Sequence, residues 1–358
     1  MNEIRLIDTL DKWTALAPSW NALLSESQSN TVFLTWEWLS SWAECYLRGD
    51  RSLFILAVYT QGKVAGIAPW YLDRSSCAGL PVGTIRFLGS PEAGSDYLDV
   101  FAKKGKEQEV AQALYAYLDR GATPAWDALL LQDMPSHSLF YLHFHNAIER
   151  AGKFCEATPG AFCPVIALPR SGEEYFTGIS SNRRQQFNRH KKMIRTEGMV
   201  EHRTCSNKQT AIIDFFSIYR KKYGDRDDQL AMLLDKVVRK TGGRNWVEID
   251  FLSLDGRNAA GLVHLRYNNE LSMYLVGVDR DFNAKVSVGN VLVGMCIDRA
   301  INEGVRIYDF LKGEEPYKFH WATGGRRSLN LYFPRRSMSS FLAVMNKIVK
   351  STAKAVLR

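Results

Sequence analysis

Two stretches of this chain repeat one pattern, and that repetition constrains the fold more than any other feature. They are residues 53–68 and 246–263. Each has a β-branched or aromatic run, a turn with a glycine and a basic residue, and a returning run containing Ala-Gly and an aliphatic residue. This pattern predicts a β-hairpin. Because each hairpin is later followed by a predicted helix and strand, the sequence predicts two copies of one α/β domain with a mixed sheet.

The length of 358 residues also favours two domains. We place an N-terminal domain at residues 1–165, a C-terminal domain at 166–336 and a basic amphipathic tail helix at 337–358. Three further expectations concern local structure. Residues 5–28 should form a helix with Trp13, Leu16 and Trp20 on one face, residues 159–169 a loop, and residues 173–195 one long helix. The aromatic-rich stretch 31–46 should pack in the core.

The net charge of +8 is concentrated in two places. No Asp or Glu follows Glu315, and the stretch 182–196 contains basic but no acidic residues. This distribution predicts an anionic partner: cofactor phosphates, RNA or a lipid surface. We expect Arg183, Arg184 and Lys191 to bind a substrate phosphate, although a solvated basic face remains an alternative. The tail at 338–358 could lie on an anionic membrane or dock on the body of the protein.

Cysteine and histidine usage favours a cytoplasmic protein without a metal site. The six cysteines form no Cys-x-x-Cys pair, and neither a signal peptide nor an apolar run of membrane-spanning length is present. His143 and His145 have no partner at ligand spacing. No Gly-x-Ser-x-Gly or other nucleophile motif occurs, and no feature predicts DNA binding.

The clearest candidate site follows a short strand predicted at residues 305–310. A stretch of ten residues at the end of this strand is rich in charged and aromatic side chains. They are Asp309, Lys312, Glu315, Tyr317 and Lys318, with Gly313 among them and His320 just beyond. A rigid strand that ends in a charged loop is a common way to build a site. Ordinary surface charges are the alternative. The first copy has no such loop, so we place the chemistry in the second.

A second candidate lies at the start of the helix predicted from residue 287. Ser287, Gly289 and Asn290 stand where free backbone N–H groups and the helix dipole attract an anion, and Lys285 could neutralise it. The spacing fits neither a P-loop nor a dinucleotide fingerprint. Simple capping by Ser287 is the alternative.

The chain resembles a known family at four places. These are Phe33-Leu-Thr-Trp-Glu-Trp-Leu, Ser181-Asn-Arg-Arg-Gln-Gln-Phe-Asn-Arg, Ser287-Val-Gly-Asn-Val-Leu and the segment 300–321, which contains Tyr308-Asp-Phe and Tyr317-Lys. Together they resemble CelD/BcsL-type acyltransferases of the GNAT superfamily, which are related to FemABX-like peptidyltransferases. The resemblance covers about residues 10–335. It implies tandem GNAT-like folds and an acyl-CoA donor. The implied acceptor is an amine of an envelope precursor, either an exopolysaccharide sugar or a lipid amine such as a sphingoid base.

The resemblance also suggests roles for the candidate residues. Asp309 or Glu315 would be the base, Lys312 and Lys318 would hold phosphate or oxyanion charge, and Tyr317 would protonate the leaving thiolate. Ser287, Gly289, Asn290 and Lys285 would cradle the cofactor phosphates. The loop 285–290 has fewer Gly and Arg than is usual in the superfamily, and FemABX-like relatives use aminoacyl-tRNA as the donor. Two alternatives therefore stay open: an aminoacyl-tRNA-dependent transferase, or a non-catalytic, membrane-associated binding protein. The expected location is the cytoplasm, with peripheral association at the inner face of the cytoplasmic membrane as the alternative.

Overall fold

The computed structural model describes residues 2–74, 76–77, 80–121, 124–197, 200–224, 228–279 and 286–335. These fall into two compact units, the first formed by the described residues up to Ala161 and from Arg327 onward, and the second by those from Phe162 to Arg326. The predicted tail helix at 337–358 and Lys285 lie outside the described residues. Within these residues, no helix combines the length and apolarity needed to cross a membrane.

The first unit alternates strands and helices. Its elements are β1 (Glu3–Ile7), α1 (Leu10–Ser25), a 3₁₀ turn (Val32–Leu34), α2 (Trp36–Tyr46), β2 (Arg51–Leu53), β3 (Ile55–Thr60), β4 (Lys63–Ala68), β5 (Trp70–Asp73), β6 (Ser76–Cys77), β7 (Leu80–Pro81), β8 (Thr84–Phe87), β9 (Phe101–Ala102), α3 (Glu107–Asp119), β10 (Ala128–Pro135) and α4 (Leu139–Arg150). One sheet has the order β1-β3-β4-β9. In the other, β2, β5, β8 and β10 are consecutive neighbours.

Aromatic side chains fill the core of the first unit, as the sequence predicts. Trp13, Trp20, Trp38 and Trp42 are each at most 2% exposed. The expected helix at 5–28 is shorter, however. It begins at Leu10, because Glu3–Ile7 forms a strand that pairs with β3. Thr9 caps the helix by accepting a hydrogen bond from the N–H of Lys12.

The second unit contains the second predicted hairpin. The elements from Glu156 onward are β11 (Glu156–Ala167), α5 (Gly172–Gly178), α6 (Ser181–Glu197), β12 (Val200–Thr204), α7 (Lys208–Tyr223), α8 (Asp228–Lys240), β13 (Val247–Leu254), β14 (Arg257–Tyr267), β15 (Glu270–Val278), α9 (Val288–Asn302), β16 (Ile307–Asp309), α10 (Lys318–Trp321) and β17 (Gly324–Pro334), and of these β11 and β17 belong to the second unit only in part. The strands run in the order β12-β13-β14-β15-β16-β11, and only the β15–β16 pair is parallel.

Two expectations for this part of the chain are wrong. Residues 159–169 are mostly strand rather than loop, because β11 pairs with β16 in spite of its prolines. The single helix expected at 173–195 is two helices. The break falls at Ile179, whose backbone is extended (φ −76°, ψ 157°).

Both predicted hairpins turn in the same way. The loops are two residues long, Gln61–Gly62 and Asp255–Gly256, and all four residues have positive φ, between 47° and 79°. A turn of this type matches the twist of paired strands and favours Gly at its second position. The repeated sequence pattern therefore encodes a repeated structure. In the second unit, α9 packs over β13, β14 and β15 and buries Val291, Leu292 and Ile297 in the core.

Candidate active site in the second unit

Asp309 ends β16 and is fully buried. Its Oδ1 accepts a hydrogen bond from the N–H of Leu311 at 2.7 Å, and its Oδ2 lies 3.3 Å from Nη1 of Arg326. Arg326 also pairs with Glu270 at the start of β15. Since both carboxylate oxygens are engaged, the geometry favours a positioning role for Asp309 over proton transfer.

Lys318 holds together the charged loop, which comprises residues 312–318. Its side chain is buried, and Nζ donates a hydrogen bond to the carbonyl oxygen of Lys312 at 2.8 Å and pairs with Glu315 at 2.9 Å. Gly313 has φ +126°, and a Cβ there would lie 2.7 Å from Nζ of Lys318. The loop therefore needs glycine at this position to wrap around the ammonium group. The structure thus brings Lys312, Gly313, Glu315 and Lys318 together as one assembly.

Tyr317 and Trp321 border the short helix α10. Tyr317 stands at its N-cap position and is partly buried against the core of the second unit. Trp321 ends the helix, and its carbonyl oxygen accepts a hydrogen bond from the hydroxyl of Tyr175 at 2.7 Å. The loop and its helix are therefore anchored on α5.

A groove lies between α6, α9 and α10. The empty space counted there is about 340 Å³, and it includes open solvent. The residues that line it are Arg183, Gln186, Phe187, His190, Asn290, Val291, His320 and Trp321. The predicted phosphate-binding residue Arg183 thus lines the same groove as the predicted cofactor-binding residue Asn290. His320 of α10, just beyond the charged loop, lines it too.

Aromatic rings form the walls of this groove. Phe187 and Trp321 meet edge to face, with ring centroids 5.5 Å apart, and Phe176 stacks on Phe187 at 5.4 Å. Gly294 of α9 makes this possible, because a Cβ there would lie 2.4 Å from Cε2 of Phe187 and 2.9 Å from Cη2 of Trp321. The missing side chain lets the rings lie against the helix backbone.

The three predicted phosphate-binding residues have different surroundings. Arg183 donates hydrogen bonds to the carbonyl oxygens of Phe319 at 3.0 Å and His320 at 3.3 Å, which ties α6 to α10. Arg184 instead donates to carbonyl oxygens near the end of α5. Nζ of Lys191 lies 5.6 Å from the ring centroid of Phe187. Of the three, Arg183 alone lines the groove.

His190 also lines the groove, and the sequence analysis did not single it out. Its side chain is 7% exposed, and it has no side-chain hydrogen bond to any residue that the structure describes. Burial, together with the neighbouring charge of Arg189, lowers the pKa of His190 below its usual value. The imidazole is therefore neutral at neutral pH. The sequence does contain a signal for its burial: Phe187, His190 and Ile194 have the spacing of residues on one buried helix face.

The start of α9 borders the groove. Ser287 makes no side-chain capping bond to the helix, so simple capping is not its role there. A Cβ on Gly289 would lie 2.9 Å from Cγ2 of Val278, which seats the first turn of α9 against the end of β15. The Oδ1 of Asn290 lies 3.5 Å from Nε1 of Trp321. The N-terminus of a 15-residue helix thus adjoins the aromatic wall.

The parallel strands β15 and β16 pair only briefly. Glu270, Leu271 and Ser272 align with Ile307, Tyr308 and Asp309, and no further pair joins the two strands among the described residues. Because β16 ends there while β15 continues to Val278, the sheet opens toward the start of α9.

A buried polar network lies beneath α9. Asp250 accepts hydrogen bonds from Thr204 at 2.6 Å, His264 at 3.1 Å and Arg299 at 3.0 Å, and lies 3.3 Å from His202. Burial alone would raise the pKa of Asp250, but the hydrogen bonds of the two histidines and the charge of Arg299 outweigh it and hold that pKa far below its usual range.

Part of this network has the composition of a metal site. Ligand atoms of His202, Asp250 and Cys296 lie within 4.8 Å of one another. A metal would require the Cys296 thiolate, yet burial raises the pKa of this thiol well above its usual value. Arg299 already neutralises Asp250 from 3.0 Å. The donor set therefore fits a structural hydrogen-bond network better than a bound cation.

Comparison with known families identifies the domain that contains the groove. Residues 181–319 match the family model of the acetyltransferase (GNAT) domain. This stretch, which is less than half of the chain, is similar to a GNAT-type acyltransferase domain. The matched segment begins with α6 and ends inside α10, so it includes Arg183, His190 and Asn290. No curated protein matches the sequence.

Solved structures agree with this assignment at the level of the fold. FemX is 10% identical, with 93% of this chain and 97% of FemX covered and a TM-score of 0.64. L-PGS from Bacillus licheniformis is 10% identical over 92% and 96% of the two chains (TM-score 0.55). A GNAT-family acetyltransferase from Colwellia psychrerythraea is 10% identical over 93% and 100% (TM-score 0.52). The predicted GNAT-like α/β fold is confirmed.

Proposed function

We propose that the GNAT domain transfers an acyl group from an acyl-CoA thioester to an amine of a cell-envelope precursor. The acceptor would be an exopolysaccharide sugar or a lipid amine such as a sphingoid base. One observation carries the proposal: the start of α9 adjoins both the opening between β15 and β16 and the groove. Two reactants can meet there, one entering along the strand edge and the other through the groove.

The donor side suits a CoA thioester chemically. The first turn of α9 offers backbone N–H groups and the positive end of the helix dipole, which together attract a pyrophosphate. Beyond Ser272, β15 pairs with no described residue of β16, so this edge can pair with the amide groups of an extended pantetheine arm, as a strand edge pairs with a peptide. In this proposal Ser287, Gly289 and Asn290 hold the pyrophosphate, with Lys285 as a further cation.

The charged loop would supply the electrostatics of the transfer step. Attack by an amine on a thioester creates an oxyanion, and positioned donors stabilise it. In our proposal Lys318 provides this charge from within the loop, supported by Lys312. Tyr317 would donate a proton to the leaving thiolate. Asp309 and Glu315 would position Arg326 and Lys318 through the ion pairs described above.

A thermal-shift series tests the donor. We expect CoA thioesters to raise the melting temperature, because a ligand that binds only the folded state stabilises it. Acetyl- to palmitoyl-CoA would be compared, with free CoA as the reference. A shift that grows with chain length would favour a lipid amine acceptor. A shift with acetyl-CoA alone would favour a sugar amine.

Two matched variants locate the binding site. Asn290→Asp places a negative charge in the first turn of α9 and should abolish the shift. Asn302→Asp makes the same change at the far end of the same helix, where residue 302 is exposed, and should retain it. Equal shifts for both variants would contradict the assignment of α9.

One observation favours a second donor, aminoacyl-tRNA. Arg189, Lys192 and Arg195 project into solvent from α6 and make no ion pair with any described residue. A row of unneutralised cations suits a nucleic-acid backbone. Transfer from a charged tRNA in the absence of any CoA thioester would select this function. Turnover with a CoA thioester alone would reject it.

A further inference from the structure

Transfer to an amine requires a base beside the nitrogen, because most amines are protonated at neutral pH. The two carboxylates predicted for this task are engaged elsewhere. Asp309 holds Leu311 and Arg326 with its two oxygens, and Glu315 is paired with Lys318. Neither of them lines the groove.

His190 has the properties that this task needs. It lines the groove, is more than nine-tenths buried, and makes no side-chain hydrogen bond to any described residue. Its surroundings keep it neutral. On α6 the nearby cations are Arg183, Arg189 and Lys191, and α10 contributes His320, whereas α9 presents only the uncharged Asn290 and Val291. Among the described residues, no carboxylate lines the groove to stabilise a protonated imidazole.

We infer that the groove binds the acceptor amine and that His190 is the base that deprotonates it. This inference rests on the proposed acyl transfer. The ammonium group gives one proton to His190, and its nitrogen then bonds to the thioester carbonyl carbon. The tetrahedral oxyanion collapses and the C–S bond breaks. Tyr317 protonates the thiolate and regains a proton from the second one that the nitrogen loses, and His190 releases its own proton to water.

The groove also restricts the class of acceptor. Arg183 at its rim disfavours a second positive charge and favours a neutral or anionic group next to the amine. The perpendicular rings of Phe187 and Trp321 offer apolar aromatic surface to a sugar ring or the head of a sphingoid base. Diamines and polyamines should therefore be poor acceptors.

The pH dependence of the wild-type reaction gives the first test. Thiol release would be followed with the thioester that gives the largest thermal shift, and with glucosamine, sphinganine and the diamine putrescine as probes. We expect kcat/KM to rise with pH along a limb whose midpoint lies below 6.5, and putrescine to be the poorest acceptor. A flat profile between pH 5 and 7.5 would overturn the role of His190.

A matched pair of variants gives the second test. His190→Gln keeps a polar side chain of similar length, and His137→Gln makes the same change at an exposed position of the first unit. We expect His190→Gln to lower kcat by about 10²–10⁴ and to remove the limb, since general-base catalysis contributes on this scale. His137→Gln should behave as wild type.

Thioester binding separates failure of this inference from failure of the proposed function. If the wild-type protein binds and turns over no thioester, the proposed function fails and this inference fails with it. If the wild-type protein is active and His190→Gln retains both activity and the limb, only the base assignment is wrong. If His190→Gln loses the thioester shift while remaining folded, the groove is a donor site and the inference is overturned.

Discussion

The ammonium group of Lys318 lies 2.9 Å from a carboxylate oxygen of Glu315, although the Lys318 side chain is buried and that of Glu315 is more than half exposed. The pair joins the interior of the charged loop to its surface. Solvent therefore contacts the Glu315 carboxylate but has little access to the Lys318 ammonium group. An anion that replaced Glu315 would gain access to a buried, positioned cation.

Lys318→Met should separate the electrostatic role of this lysine from its packing. Methionine fills a similar volume but cannot donate to the carbonyl oxygen of Lys312. Removing one oxyanion donor typically lowers kcat by about 10²–10³. We expect a loss of this size, with KM for the thioester changed by less than about threefold. Steady-state kinetics would check it, and a loss confined to KM would contradict the oxyanion role.

Asp99 should make stability in the first unit depend on pH. Burial raises its pKa to about 7, despite hydrogen bonds from Ser29, Ser138 and the N–H of Val100. The folded state therefore binds more protons than the unfolded chain between about pH 4 and 7. The free energy of unfolding should fall as pH rises through this window. Asp99→Asn should flatten that dependence and stabilise the protein at pH 8, as urea unfolding at several pH values would reveal.

Asp250 should have the opposite pH dependence. Its pKa is held below the usual range, so its contribution is present near neutral pH and is lost as the pH falls below about 4. Asp250→Asn removes one of the three carboxylates that pair with Arg299, and Glu248 and Glu303 remain. Because part of the charge stays compensated, we expect a loss of about 1–3 kcal/mol, the scale of a buried hydrogen bond to a charged group. Urea unfolding at pH 7 would measure the loss, and a change below about 1 kcal/mol would contradict the importance of the pair.

Gly294→Ala should damage the groove rather than strengthen its helix. An alanine in a helix is normally more stable than glycine by roughly 0.5–1 kcal/mol. At this position the new Cβ would collide with Phe187 and Trp321, and overpacking costs about 1–3 kcal/mol. Gly178→Ala is the matched control, because a Cβ at the end of α5 meets nothing within 4 Å. Melting temperatures should fall for the first variant and hold or rise for the second.

Much of the architecture could be predicted because local patterns encode it. Both hairpins follow from their Gly-containing two-residue turns, and α3, α4, α7 and α9 follow from their periodicity. The prediction was wrong where pairing with a distant strand outweighs local preference. β11 contains Pro159 and Pro164, which favour a loop, yet the carbonyl oxygen of Pro164 accepts a hydrogen bond from the N–H of Phe310. Proline lacks only the donor, so its acceptor still serves the sheet.

The site could be predicted in part. Residues close in sequence, from Lys312 to Lys318, do assemble into one loop. The sequence did not predict a site at His190 because the groove around it is completed by α9 and α10, which lie about 100 residues or more away in sequence. The network around Asp250 likewise draws on three strands and a helix. No fixed spacing connects such residues, so the sequence alone carries no motif for them.

The single turn of α10 has a mechanical consequence. Lys318 begins this turn and Trp321 ends it, so that a movement of one end is passed to the other. A ligand that draws the Lys318 ammonium group away from the carbonyl oxygen of Lys312 would also shift the indole that walls the groove. Any change that a ligand at one position caused in the affinity of the other would be matched by an equal factor in the reverse direction.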